Sequence, residues 1–253
     1  MLGTKVLLIY TGGTIGMIKD SETGALKPFD FEQIKKEVPE LYKFECEIDT
    51  ISFESPLDSS NMEPEVWVRI AEIIEENYID YDGFVILHGS DTMAFTASAL
   101  SFMLHGLNKP VILTGSQLPI GTIRTDGKEN LITAIEIAVA KKANNPVVPE
   151  VAIYFEYNLY RGNRTTKMNS EDFEAFDSFN FPLLAEAGVK IKYNTRNILE
   201  VKTESRLNVF KSFDRNVASL KLFPGITKEF VSHFIKTPGL KAIVLETFGS
   251  GNA

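Results

Sequence analysis

Four continuous apolar runs decide what this chain can fold into. They are Lys5–Tyr10 (KVLLIY), Asp82–Gly89 (DGFVILHG), Lys109–Ser116 (KPVILTGS) and Glu150–Tyr157 (EVAIYFEY). Each has strand length, and none alternates apolar with polar residues as a strand with one wet face does. Strands of that kind need cover on both faces, which a parallel sheet between helices supplies. The intervening segments provide it. Glu63–Tyr78 places Val66, Ile70, Ile73 and Ile74 on one helical face. Ser90–Leu104 carries apolar positions including Phe95, Ala99, Phe102 and Met103, and Thr125–Lys142 gives a third helix. Glu45–Phe53 (ECEIDTISF) alternates and reads as a further strand. The pattern predicts an α/β fold, a doubly wound and mostly parallel sheet, as a larger N-terminal domain over residues 1–193.

From Asn194 to Asn216 the pattern turns polar, and residues 194–216 read as a linker. Val217–Gly225, Thr227–Thr237 and Leu240–Gly249 then give one more β-α-β unit. Residues 217–253 are expected to be the start of a smaller C-terminal α/β domain, incomplete as it stands.

A chain of 253 residues with a formal net charge of -8 and no basic run is not built for nucleic acid. No segment reaches the roughly 18 apolar residues a spanning helix needs, and no signal peptide is seen, so no membrane partner and a cytoplasmic address are expected. The single Cys46 has no partner for an internal disulfide, and packing is its expected role.

In an open parallel sheet, ligands bind beyond the carboxyl ends of the strands. Three of those ends read TGGT (Thr11–Thr14), HGSDT (His88–Thr92) and TGSQLP (Thr114–Pro119). Glycine lets backbone approach a ligand closely, and hydroxyls and a carboxylate are left to face it. Turn and cap preferences would explain any one of these loops; three in one sheet point to a site. The phosphate-loop pattern is absent, and Gly12-Gly13-x-x-Gly16 departs from the dinucleotide fingerprint by its adjacent glycines, which leaves a nucleotide site open. His88, His105 and His233 are far apart and in no ligand spacing, so no metal is expected. His88, Ser90 and Asp91 share one loop, whereas a serine triad draws its groups from separate elements. His88 is therefore expected to be a hydrogen-bonded strand-end histidine. A hydroxyl nucleophile still needs a base. Lysine can serve where neighbours lower its pKa, and Tyr160–Ser170 (YRGNRTTKMNS) crowds Arg161, Arg164 and Lys167 together. Asp91 could hold that lysine in place. A solvated basic loop is the competing reading.

Taken together, YTGGTIGM (10–17), DSSNMEPEVW (58–67), HGSDTMAFTASALSFM (88–103), TGSQLPI (114–120), RTDGKENL (124–131), LYRGNRTTK (159–167) and FGSGNA (248–253) resemble the type I, cytoplasmic branch of bacterial-type L-asparaginases, in the family's order and over nearly the whole chain. The resemblance implies an amidohydrolase that converts L-asparagine to L-aspartate and ammonia without cofactor or metal. Thr14 would be the nucleophile and form an acyl-enzyme. Ser90, Asp91 and Lys167 match the second catalytic trio, with Ser90 where threonine is commoner. Asp58, Ser59, Ser60, Gly13, Gly89, Ser116 and, by a weaker match, Asn252 would bind substrate, with backbone N–H groups near Gly13 and Ser90 facing the oxyanion and the Ser116 carbonyl accepting from the leaving amide. The resemblance also implies a homodimer or homotetramer whose sites are completed across subunits.

Two departures stand out. The secreted branch carries an activating tyrosine on the loop after the nucleophile, where this chain has Ala25 or Leu26; the nearest tyrosines, Tyr10 and Tyr42, lie in other segments. Family members also run on past Ala253, so a truncated chain with an activator supplied from elsewhere is expected. The alternatives are a catalytically weak binding protein for small amino acids on the same fold, and a subunit of a tRNA-linked amidotransferase. The latter usually has an extra module before the first strand.

Overall fold

The computed structural model describes residues 3–19, 26–28, 34, 36–202 and 204–253. They fall into two compact units, Met1–Lys211 and Ser212–Ala253.

The first unit is built on an eight-stranded sheet. Its strands are β1 (Thr4–Gly12), β2 (Cys46–Leu57), β3 (Gly83–Leu87), β4 (Val111–Thr114), β5 (Val151–Phe155), β6 (Asn158–Arg161), β7 (Ala185–Ala187) and β8 (Ile191–Tyr193). Their order across the sheet is β8-β7-β6-β5-β4-β3-β1-β2. β1 to β5 are parallel, in the order 2-1-3-4-5, and β6 to β8 add an antiparallel edge. This is the doubly wound, mostly parallel α/β sheet expected from the apolar runs. Its strand order reverses between β1 and β3, and a crevice opens at such a switch point.

Side-chain alternation explains why the strands read as continuously apolar. Leu7, Ile9, Phe84 and Ile86 face one layer, where helices α1 (Pro64–Asn77) and α2 (Met93–Met103) add Ile70, Ile73, Ile74, Ala97 and Leu100. Val6, Leu8, Tyr10, Val85 and Leu87 face the other, where α3 (Gly127–Val139) adds Leu131, Ala134 and Ile135. Each fully buried aliphatic side chain contributes about 1.5–3 kcal/mol, so every strand is held from both sides. α2 meets the sheet through Met93, Ala94, Ala97 and Leu100, while Phe95 and Phe102 are exposed. Close packing against β5 and the turn Gly162–Arg164 favours small residues on that face.

β5 does not run on into the basic loop. It ends in a two-residue turn at Glu156 and Tyr157, both at positive φ, and β6 returns antiparallel, pairing Ala152 with Arg161. Of the two positions expected to replace the activating tyrosine, Ala25 lies outside the described residues. The backbone of Leu26 pairs with Lys19 in a short antiparallel ribbon.

In the second unit, β9 (Val217–Lys221) and β10 (Ala242–Glu246) form a parallel pair joined through α4 (Lys228–Ile235). Thr227 caps α4, its side chain accepting from the Phe230 N–H. None of the described helices is long and apolar enough to cross a membrane.

Candidate active site

Adjacent glycines let β1 reach its neighbours at the switch point. Gly12 sits at φ 137° and Gly13 at φ 85°, conformations that side chains rarely adopt. A Cβ on Gly12 would fall 2.1 Å from the Leu57 carbonyl oxygen, and one on Gly13 would fall 2.4 Å from the Gly89 nitrogen. The Gly13 N–H donates to Leu57 O at 3.1 Å. The two flanking threonines then divide the work. Thr11 is buried and donates to Leu87 O at 2.9 Å, tying β1 to β3. Thr14 is half-buried and opens a single 3-10 turn, Thr14–Gly16. Among the described residues its hydroxyl has no hydrogen-bond partner. Tyr10 fastens the turn from below, donating from its hydroxyl to Gly16 O at 2.9 Å. Burial pushes that phenol up to about 12, and its bond makes Tyr10 a strut for the turn.

Next to this turn lies the Ser90–Asp91–Lys167 group. Lys167 stands on a short ribbon, Thr166–Lys167 paired with Phe176–Asp177. Its ammonium donates to Ser90 Oγ at 2.8 Å and to Asp91 Oδ1 at 2.7 Å. The lysine side chain is 14% exposed and the aspartate 62%, so Asp91 keeps an open oxygen that a ligand can use. Ser90 Oγ in turn donates to Gln117 Oε1 at 3.4 Å, and Gln117 Nε2 donates to Asp172 O at 2.9 Å. The three cations of the basic loop are not crowded together. Arg161 pairs with the buried Glu150 at 2.7 Å and lies over the Phe181 ring, which Arg164 also faces. The β5–β6 hairpin carries Arg161 to the far end of the sheet, and only Lys167 returns along α2 to Ser90.

Ser59 completes the crevice. It is buried, and a Cβ on Gly89 would fall 2.5 Å from its Oγ. The Thr92 hydroxyl holds its carbonyl at 2.7 Å. Asp58 and Ser60 are exposed beside it, and Asp58 caps the turn by accepting from the Ser60 N–H at 2.9 Å. That bond holds the Asp58 carboxyl below the usual range.

Ser116 is buried, and its hydroxyl donates to Leu118 O at 2.6 Å. The Ser116 loop is clamped by Asp126, which accepts from the Gln117 and Leu118 N–H groups at 2.8 and 3.1 Å. Asn130 reaches the Gly115 carbonyl at 3.0 Å. Burial raises the Asp126 carboxyl despite those two bonds. Gly127, with no Cβ, lets Ser116 and Ile15 of the nucleophile turn pack together. The structure therefore brings Gly13, Thr14, Ser59, Gly89, Ser90, Asp91, Ser116 and Lys167 to one end of the first unit. Asn252 lies in the second unit, where its carbonyl accepts from the Phe248 N–H at 2.9 Å.

His88 is fully buried beneath this floor. Trp67 can only donate, so its Nε1–H is taken by Thr96 Oγ1 at 3.0 Å. The Thr96 hydroxyl then gives its proton to His88 Nε2 at 2.9 Å, and Nδ1–H donates to Gly89 O at 2.7 Å. Burial lowers this imidazole to about 4, against an ordinary value near 6.5. Below pH 6.5 the unfolded chain takes up a proton that the folded chain refuses, so stability falls as pH drops from about 6.5 to about 4. Between pH 7 and pH 5 the expected loss is about 2 kcal/mol from this group. Urea unfolding at both pH values should show that loss in the parent chain and a smaller one in His88→Gln. An equal pH response would assign the effect to other groups.

Comparison with known proteins shows the family. The profile of the family described as "Asparaginase, N-terminal" matches residues 5–199. The chain belongs to the asparaginase family. Among asparaginase relatives, L-asparaginase 1 of Escherichia coli (strain K12) is 46% identical over 251 residues, spanning 98% of this chain and 72% of the relative. The solved L-asparaginase I of Vibrio cholerae superposes with a TM-score of 0.88 at 40% identity, covering 99% of this chain and 74% of that one. A probable cytoplasmic L-asparaginase of Campylobacter jejuni superposes at 0.79 with 27% identity, covering 98% and 76%. Gln117, Asp126, Asn130 and Thr92 hold the backbone and side chains of the candidate crevice, and the motifs did not single them out. Only their position inside the quoted segments TGSQLPI, RTDGKENL and HGSDT hinted at them.

Proposed function

We propose that this chain hydrolyses L-asparagine to L-aspartate and ammonia, with Thr14 as nucleophile. One observation carries the reading: a largely buried lysine ammonium shared by Ser90 and Asp91, beside a glycine pair that leaves a threonine hydroxyl open. Thr14 Oγ1 attacks the side-chain carboxamide carbon. The tetrahedral oxyanion faces backbone N–H groups near Gly13 and Ser90, a type of contact typically contributing ~3 kcal/mol per donor. Ser90 and Lys167 move the proton that lets ammonia leave, and water then cleaves the β-aspartyl ester. The open oxygen of Asp91 receives the substrate ammonium, the Ser59 region its carboxylate, and the Ser116 carbonyl its amide N–H. Asp58, Ser60 and Gly89 complete the proposed substrate shell.

The address is the cytoplasm, in keeping with the probable cytoplasmic L-asparaginase of Campylobacter jejuni, and the working form is a homodimer or homotetramer. Val244, Leu245, Phe230 and Ile235 stand exposed on the second unit, apolar surface of the kind that seeks a partner.

Incubating the chain with L-asparagine should release ammonia and aspartate in equal amounts, faster than ammonia is released from L-glutamine. One methylene discriminates by about 1–3 kcal/mol. Aspartate binding without ammonia release would instead support a binding protein. Light scattering on the same sample reads the assembly, and a monomer would overturn that part.

A further inference from the structure

At the opposite end of the sheet from Thr14 lies a cavity of about 730 Å³, within the size range of small-molecule sites. It opens where β5 begins at Val151, where α2 ends, and where β6 delivers Arg161. Its apolar wall includes Leu104, Leu107, Val151 and Ile198. Its polar wall is cationic in a chain of net charge -8, with Arg161, Arg164, Arg196 and Lys202 against Glu150 and Glu200.

One of those pairs is internally satisfied. Glu150 is buried and accepts from Arg161 Nε at 2.7 Å, from Arg161 Nη2 at 3.3 Å and from the Leu199 N–H at 2.7 Å. That pair is the rigid floor. Arg164, Arg196 and Lys202 are different: among the described residues they make no ion pair.

We propose that this cavity is a second binding site, separate from the amide-hydrolysing crevice, for a phosphorylated small molecule of nucleotide size. With Glu150 engaged by Arg161, the cations Arg164, Arg196 and Lys202 stand against Glu200 alone, which leaves the wall net positive. They match a phosphate monoester, which carries roughly −1.5 to −2 charges near neutral pH and presents three acceptor oxygens. Guanidinium groups suit such oxygens because they bind them in pairs. The ligand body lies along Leu104, Leu107 and Ile198.

Isothermal titration with AMP tests this on the whole chain, with inorganic phosphate as the second probe. AMP should bind at one saturable site, more tightly than inorganic phosphate, and more weakly as salt rises. Arg164→Ala/Arg196→Ala should weaken AMP at least about tenfold while leaving asparagine turnover unchanged, since neither arginine touches the Thr14 crevice. Lys202→Glu, on an exposed side chain, is an independent check and should weaken AMP as well. No saturable AMP binding up to ~1 mM would overturn the site. So would unchanged AMP affinity in both variants. Inorganic phosphate binding as tightly as AMP would overturn the nucleotide-sized ligand, because the apolar wall would then contribute nothing.

Discussion

Replacing Thr14 with alanine should leave a folded chain that releases no measurable ammonia from asparagine. The two halves of that expectation rest on different observations. The fold is indifferent to the hydroxyl, because among the described residues it bonds to nothing and the side chain is only half-buried. Changes away from core, caps and networks usually stay within about 0.5 kcal/mol. What shapes the turn is elsewhere, in Gly12, Gly13 and the Tyr10–Gly16 bond. Chemistry is the opposite case. Losing a nucleophile removes the covalent route altogether, and comparable losses elsewhere reach about 10⁶ in kcat. A fall of at least about 10⁴ is expected here, with the thermal unfolding midpoint unmoved. Thr14→Ser, which keeps the oxygen, should retain part of the rate. Ammonia release by Thr14→Ala within about tenfold of the parent would remove Thr14 from the nucleophile's role.

Much of this was legible in the chain because burial leaves a periodic trace. Lys5–Tyr10 reads as continuously apolar because its alternate residues enter two different cores, Leu7 and Ile9 one, Val6 and Leu8 the other. The glycine–hydroxyl loops announced themselves because close backbone approach excludes side chains, as at Gly13 against Gly89. Other features leave no such trace. Phe95 and Phe102 count as apolar positions of α2 but face outward, since composition does not say which face a sheet accepts. Arg161, Arg164 and Lys167 are neighbours in sequence, yet a hairpin return sends the first two toward Glu150 and Phe181. Only tertiary pairing decides that. Gln117, Asp126 and Asn130 act by orienting backbone, and in a loop such residues look like any other polar residue.

Methionine in place of Lys167 separates the chemical role of that loop from its charge. The substitution keeps the unbranched stem that fills the crevice and deletes the ammonium that donates to Ser90 and Asp91. Asp91, being 62% exposed, is rehydrated rather than stranded, so the fold should survive. Ser90 loses the donor that fixes its hydroxyl, and the proposed proton route loses the lysine that joins Ser90 to Asp91. Positioned acid–base groups typically contribute 10²–10⁴-fold, and kcat/KM should fall by about 10³. Arg164→Met removes one positive charge three residues earlier in the same loop. Arginine does not deprotonate in proteins, and Arg164 meets the Phe181 ring at 5.9 Å, away from Ser90. Its loss should change kcat/KM by less than about threefold, in line with a contact worth at most ~1 kcal/mol. Measuring both variants on asparagine decides the matter. Equal losses would mean that the loop acts on the crevice through its field alone, and Lys167 would no longer stand beside Ser90 and Asp91 as a proton-transferring group.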